Sequence, residues 1–275
     1  MNIDGWKYYN HAAIPTVAPH EPVNIQPVKN GTIWRMGGGT PLLVRWTTDF
    51  DCERKTNWWY VIKDTPFDLM EIKAKQRYEI KKGNKNFDVQ LIVPQTLEQE
   101  IYNIQKAAFS AYPEKYRPNV TRESVRREIT TWKKDKVYGA FYKENAKLCG
   151  YAVVRDKTSF LSFEIQKCDP LYEKYAINAA LVYSILEDNR EELLQQKYLC
   201  DGSRNINHET AFQDYLEKYF GFRKAYCTLH LKYRWYVAVV INVLKPFEEV
   251  LLKFDNNKWI HQINGIYKME RYRRE

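Results

Sequence analysis

The sequence predicts a mixed α/β (α+β) fold, built on a twisted, mostly antiparallel sheet flanked by helices. Three observations carry that expectation. Across residues 87–234 the apolar pattern runs strand, two helices, three strands, long helix, strand, helix, strand. The pairs Glu144-Asn145 and Asp156-Lys157 turn the three middle strands back on one another. The chain has 275 residues, 44% of them hydrophobic, enough to bury a core in one large or two small domains.

The elements follow in order. Four prolines among the first ~30 residues (Pro15, Pro19, Pro22, Pro27) mark extended, loop-like chain. Thr32–Met36 and Leu42–Trp46 read as strands joined by a hairpin turn at Gly37-Gly38-Gly39, and 58–62 reads as a third strand. Asp64-Thr65-Pro66 is expected to open a basic helix from Phe67 to about Lys82, ended by Gly83. Residues 87–93 read as a strand. Helices start at Thr96 and, with a Thr cap, at Thr121. Strands 136–142, 148–155 and 160–166 precede a long helix from Pro170 to about Gln196. A short strand at 198–201, a helix from His208 to about Tyr219 and a final strand or hairpin at 222–233 complete this part. The expected organisation is a strand-rich extension or degenerate half with the basic helix (1–86), a central domain (87–234) and a helical tail (235–275).

Composition narrows the functional classes. Charged residues make up 28% and aromatics 15%, which excludes a disordered chain. The start lacks the basic and apolar regions of a secretory signal. The longest apolar run, Trp235–Leu244, is about half the ~20 residues of a spanning helix, so no transmembrane segment is expected. Five scattered cysteines without C-x-x-C spacing indicate neither a disulfide framework nor a metal site, and the expected compartment is the reducing cytoplasm. The net charge of +9 fits a solvated basic surface, or an anionic partner such as a coenzyme phosphate, a small anionic substrate or tRNA.

Two local motifs give this order a family likeness. Lys218-Tyr-Phe-Gly-Phe-Arg-Lys follows a helix and precedes a strand, and Lys73-Ala-Lys75-Gln-Arg77-Tyr78-Glu-Ile80-Lys81-Lys82-Gly83 carries a K-x-R-x-x-I-x-K stretch. With the loop Leu199-Cys-Asp201-Gly202-Ser203-Arg204, they make the region from about 65 to 234 resemble the GNAT acyltransferase superfamily, in its FemAB-like branch. The resemblance implies N-acyl transfer to a small-molecule amine, an amino sugar or a cell-envelope or polysaccharide precursor. It also admits aminoacyl transfer from aminoacyl-tRNA, or a non-catalytic binding module. Acetyl-CoA or another acyl-CoA is the donor implied for GNAT enzymes, whose glycine-rich loop cradles the pyrophosphate at a helix start. Here Ala176 and Asn178 stand where those glycines would be, with Lys174 and Tyr175 beside them.

N-acyl transfer needs a base, oxyanion donors and an acid. Strand alternation puts Glu164 opposite Phe163 and Ile165, so it is either a solvated charge or the general base. Asp201 ends a central strand and is a turn residue or a site carboxylate. His208 is a helix-start residue or a proton shuttle. Tyr215 and Tyr219 precede the Phe-Gly-Phe turn on the helix that carries the family's general-acid tyrosine, but the usual spacing puts that tyrosine where Glu217 stands here; core packing is the competing role of both. Arg204 and Asn205 are substrate-binding candidates. Lys73, Arg77 and Lys81 recur at i, i+4, i+8 on one basic face that is solvated or grips phosphate, sugar acid or RNA. The apolar tail covers the sheet, pairs two subunits into a homodimer or lies on a membrane.

Overall fold

The computed structural model describes residues 2–112, 114, 117–206, 211–253 and 258–274. The elements are β1 (Trp6–Tyr9), β2 (Ala12–Pro15), α1 (Gln26–Lys29), β3 (Leu43–Thr48), β4 (Trp59–Lys63), α2 (Ala74–Asn86), β5 (Phe87–Leu91), α3 (Glu98–Ser110), α4 (Arg122–Thr131), β6 (Lys136–Tyr142), β7 (Lys147–Asp156) and β8 (Leu161–Cys168). They continue with α5 (Ile177–Asp188), α6 (Arg190–Leu194), β9 (Leu199–Ser203), α7 (Phe212–Phe220), β10 (Arg223–Tyr226), β11 (Thr228–Tyr233), α8 (Trp235–Leu244), α9 (Glu248–Lys253) and α10 (Lys258–Arg274). The expected mixed α/β architecture is present. A four-stranded sheet has the order β1-β2-β3-β11, and a seven-stranded sheet has the order β10-β4-β9-β8-β7-β6-β5.

The chain divides into two compact units. The first comprises Met1–Tyr60, Ser203–His208 and Lys224–Glu275; the second comprises Val61–Gly202 and Glu209–Arg223. In the first unit β3 and β11 pair antiparallel from Leu43↔Tyr233 to Thr48↔Thr228. Trp58, Leu43, Cys227, Leu229 and Met269 form one buried cluster there; Trp6, Val28, Ile33, Met36 and Val44 belong to another.

In the second unit β5, β6, β7 and β8 form the antiparallel run. Ile101, Ile104, Val125, Ile129 and Trp132 of the α3–α4 region pack with Val137, Leu148, Tyr151 and Val153 into a core cluster. Helix α4 starts as expected. Thr121 Oγ1 accepts from Ser124 N at 3.1 Å, and Ser124 Oγ accepts from Thr121 N at 3.0 Å. Helix α7 also ends as expected. Gly221 is left-handed (φ 66°), Phe222 N donates back to Leu216 O, and Phe222 is buried.

Several elements differ from the sequence reading. Residues Thr32–Arg35 form a 3-10 helix, entered through left-handed Gly31 and burying Ile33, so Gly37-Gly38-Gly39 joins that helix to β3 and is not a hairpin turn. The basic helix begins at Ala74, seven residues after Phe67. The intervening chain is held otherwise: Asp68 Oδ1 accepts from Met70 N at 2.7 Å in a side-chain turn, and buried Phe67 packs on Tyr183 and Phe220. The long helix is broken into a 3-10 helix (Pro170–Tyr175), α5 and α6. Left-handed Ala176 makes the first break. Buried Asn189 makes the second, donating to Ile185 O at 2.7 Å and to the Tyr138 hydroxyl at 3.0 Å.

Gly83 does not end α2; it lies inside it, against α5. A Cβ there would stand 2.6 Å from Ala176 O and 2.9 Å from Ala180 N, both backbone atoms. Gly83→Ala gains up to ~1 kcal/mol of helix propensity, whereas overpacking against backbone costs about 1–3 kcal/mol. The clash prevails, and urea titration of Gly83→Ala is expected to show a lowered midpoint. Gly221→Ala meets no atom within 4 Å, so only its left-handed backbone is at stake. Its expected loss is about 1 kcal/mol, read in the same titration.

Candidate active site

The candidate site forms where β8 and β9 part. The two strands run parallel, yet they pair only at Leu161↔Leu199 and Ser162↔Cys200. Beyond Ser162, β8 keeps β7 on one edge and has no ladder partner on the other among the described residues. The parting coincides with a bulge. Val153 pairs with Ile165 and Val154 with Phe163, which leaves Glu164 as the extra residue.

The bulge corrects the expected alternation. Cross-strand partners share a face and neighbours alternate, so Phe163 and Ile165 lie on opposite faces of the sheet. Ile165 packs on the α3–α4 cluster, and Phe163 meets Phe212 of α7 edge-on at 5.7 Å. Glu164 is exposed at the bulge, with its carboxylate 3.7 Å from Arg155. Arg155 is itself held bidentate by Asp135 at 2.9 and 2.7 Å.

Asp201 lies one residue past the last β8–β9 pair. The residue as a whole is half-buried, but desolvation of its carboxyl pushes the pKa up to about 7, and the Gln213 side-chain amide, hydrogen-bonded to the carboxylate, opposes the rise. Cys200 beside it is pushed up to about 12, by burial first, and feels both Asp201 and Glu164. The first turn of α7 thus touches both strands at the parting, Phe212 on β8 and Gln213 on β9. Tyr215, one turn on, stacks with Phe212 at 6.1 Å and lies 4.9 Å from the Tyr219 ring. Burial raises its phenol, helped by the charges of Glu79, Tyr219 and Cys168.

Asn178 in the first turn of α5 is tied to β8. Its Oδ1 accepts from Gln166 Nε2 at 2.8 Å and from Cys168 Sγ at 3.3 Å. Gln166 Oε1 is buried without a hydrogen-bond partner. Glu164, Asp201, Tyr215 and Asn178 are therefore gathered around β8, β9 and α7.

The other candidates lie elsewhere. Lys174 sits 5.0 Å over the Tyr175 ring, and Tyr175 joins Tyr142 and Tyr172 in an aromatic cluster. Lys73 precedes α2, its N–H donating to Gln76 Oε1 at 2.8 Å. Arg77 folds back onto the carbonyls of Ile72 (2.7 Å) and Met70 (3.2 Å), while Lys81 is exposed. The basic face is thus partly engaged in holding the loop before α2. Arg204 and Asn205 belong to the first unit. There Arg204 is sandwiched between the Trp59 and Tyr272 rings (4.2 and 3.6 Å) and donates to Asn57 O at 2.6 Å. His208 lies outside the described residues.

Two residues of the site escaped the sequence reading. Gln213 lies in the buried stripe Gln213, Leu216, Phe220 of α7, and an amide at an apolar position was its signal. Gln166 carried no signal, because the unpartnered state of its oxygen is a property of the folded surroundings.

The resemblance puts a coenzyme pyrophosphate cradle at the start of α5. Ala176 adopts the left-handed backbone (φ 64°) that glycine usually supplies, but carries a methyl group. Gly83 of α2 lies on the first turn of α5, and the Asn178 side chain is taken by Gln166 and Cys168. The Ala176 methyl and the engaged Asn178 side chain therefore stand where a glycine-rich loop would leave bare backbone.

This arrangement is similar in fold to two solved structures. In particular, the chain is similar to FemX, with a TM-score of 0.55 and 7% identity over 87% of this chain and 85% of FemX. It is similar too to the C-terminal (DUF2156) domain of a putative lysylphosphatidylglycerol synthetase from Agrobacterium fabrum, with a TM-score of 0.50 and 12% identity over 87% and 84% of the two chains. At these identities the likeness is one of fold. The sequence matches no family model and no curated protein.

The raised Asp201 pKa carries a stability consequence. Between the ordinary carboxylate value of 3.8 and about 7 the folded chain holds a proton that the unfolded chain releases. The associated stability is full below 3.8 and lost as the pH rises through about 7. Asp201→Asn is therefore expected to be more stable than the parent at pH values above ~7, the gap closing on acidification, as thermal melts across pH would show.

Proposed function

We propose that this chain is an N-acyltransferase that moves an acyl group to an amine acceptor. The observation that carries the reading is the parting of β8 from β9 with a neutral-range carboxyl, Asp201, at its edge. The amine nitrogen attacks the acyl carbonyl carbon, a C–N bond forms and an oxyanion develops. Backbone N–H groups on the unpaired edge of β8 beyond Ser162 are the donors for it. Asp201, titrating near neutrality, takes the proton lost by the nitrogen. Collapse breaks the C–O or C–S bond to the leaving group, which takes a proton in turn. Gln166 Oε1 accepts from a substrate N–H. Tyr215, stacked on Phe212 of the same helix, is the acid candidate. The acceptor class, an amino sugar or a cell-envelope or polysaccharide precursor, follows the FemAB-like resemblance.

A second reading concerns the donor. Ala176 and Asn178 replace the glycines of a coenzyme A loop, and α2 lies on the first turn of α5. These features favour an aminoacyl ester of tRNA over acyl-CoA, and the charge of +9 supports a phosphate-rich donor.

Both are tested by supplying acyl-CoA or aminoacyl-tRNA with a panel of amines and following products by mass spectrometry. One donor is expected to yield an N-acylated product. Asp201→Asn is expected to lower kcat by about 10²–10⁴ with the circular dichroism unchanged, and the parent kcat/KM to fall on the acid side of about 7. No product from either donor would return the chain to a non-catalytic binding module; full activity in Asp201→Asn would remove Asp201 from the site.

A further inference from the structure

Helix α8 lies outside the catalytic argument and belongs wholly to the first unit. It buries one residue, Ile241, whose carbonyl accepts from the buried Tyr267 hydroxyl of α10 at 3.2 Å. The opposite side is apolar and open to solvent. Trp235 is 77% exposed, Val239 54%, Val240 50% and Val243 64%; Tyr236 and, just beyond the helix, Phe247 continue the surface. Positions 236, 239, 240, 243 and 247 recur at helical spacing, so these side chains form one stripe. Folded monomers seldom leave such a stripe uncovered.

Charge indicates what covers it. Arg234 flanks the start of α8, and Lys245 follows its end. Lys245, Pro246, Arg271 and Arg274, with Glu248 and Glu249, line a cavity of about 400 Å³ there. Glu248 is shared between Arg271 (3.4 Å) and Arg274 (3.7 Å), while Lys245 makes no ion pair among the described residues. A second copy of a chain carrying +9 is repelled, whereas an anionic lipid surface is attracted. The ten residues of α8 are too few to span a bilayer, and no helix among the described residues is long and apolar enough to do so. The aromatic pair Trp235-Tyr236 and the basic ends suit a helix lying in the plane of the interface.

We propose that α8 is a docking surface for anionic membranes. The Val239–Val243 face sinks into the headgroup boundary, and exposed Lys245 meets lipid phosphates. This inference stands apart from the transferase reading.

The test is co-sedimentation of the full chain with phosphatidylglycerol-containing vesicles and with phosphatidylcholine vesicles. Binding to the anionic vesicles is expected, weakened by salt. Val240→Glu/Val243→Glu is expected to weaken it at least about tenfold, and Lys245→Glu to weaken it less. Both sites are exposed, and circular dichroism checks that the fold is kept. No binding to anionic vesicles, or unchanged binding by the double variant, overturns the proposal. So does a parent dimer that the double variant splits without vesicle binding, since the stripe is then an interface between copies.

Discussion

Two parallel neighbours in a sheet normally share hydrogen bonds along their length, and here that ladder stops after two residue pairs. The Glu164 bulge accompanies the stop: an extra residue in β8 twists and bends the strand, and a bent strand cannot stay in register with a straight one. The rest of the second unit's site depends on this. The unpaired β8 edge lies at this gap, and the same strand carries the orphaned oxygen of Gln166 and the Phe163 ring that meets Phe212.

The two carboxylates near the gap are placed for different chemistry. Glu164 stands on the exposed bulge, 3.7 Å from the Arg155 guanidinium. Asp201 is desolvated, which raises its pKa to about 7 against the opposing hydrogen bond from the Gln213 amide. One residue of displacement past the ladder's end separates these environments.

Much of this architecture was legible in the chain. Gly221 after an apolar helical stripe announced the cap and the burial of Phe222, and Thr121 announced the start of α4. The misreadings have local causes. Ile33-Trp34 looks like strand, but Gly31 is left-handed and turns the chain into a 3-10 helix. The acidic and proline signals at 64–66 resemble a helix start, yet Asp68 forms a turn and Phe67 is drawn into the core. The bulge was illegible for a deeper reason: register is a property of two strands, and the alternation of β8 alone put Phe163 and Ile165 on one face. Asp201 could be named from its place at a strand end, but its proton affinity depends on burial and on Gln213.

The division of the chain also orders its synthesis. Every segment of the second unit is present once residue 223 has been made, whereas the first unit joins residues 1–60 to residues 224–275. Strand β3 must wait some 180 residues for β11, its antiparallel partner. During that interval the β3 edge that β11 will cover lacks that ladder partner, so the nascent chain carries an open edge until residues 228–233 leave the ribosome.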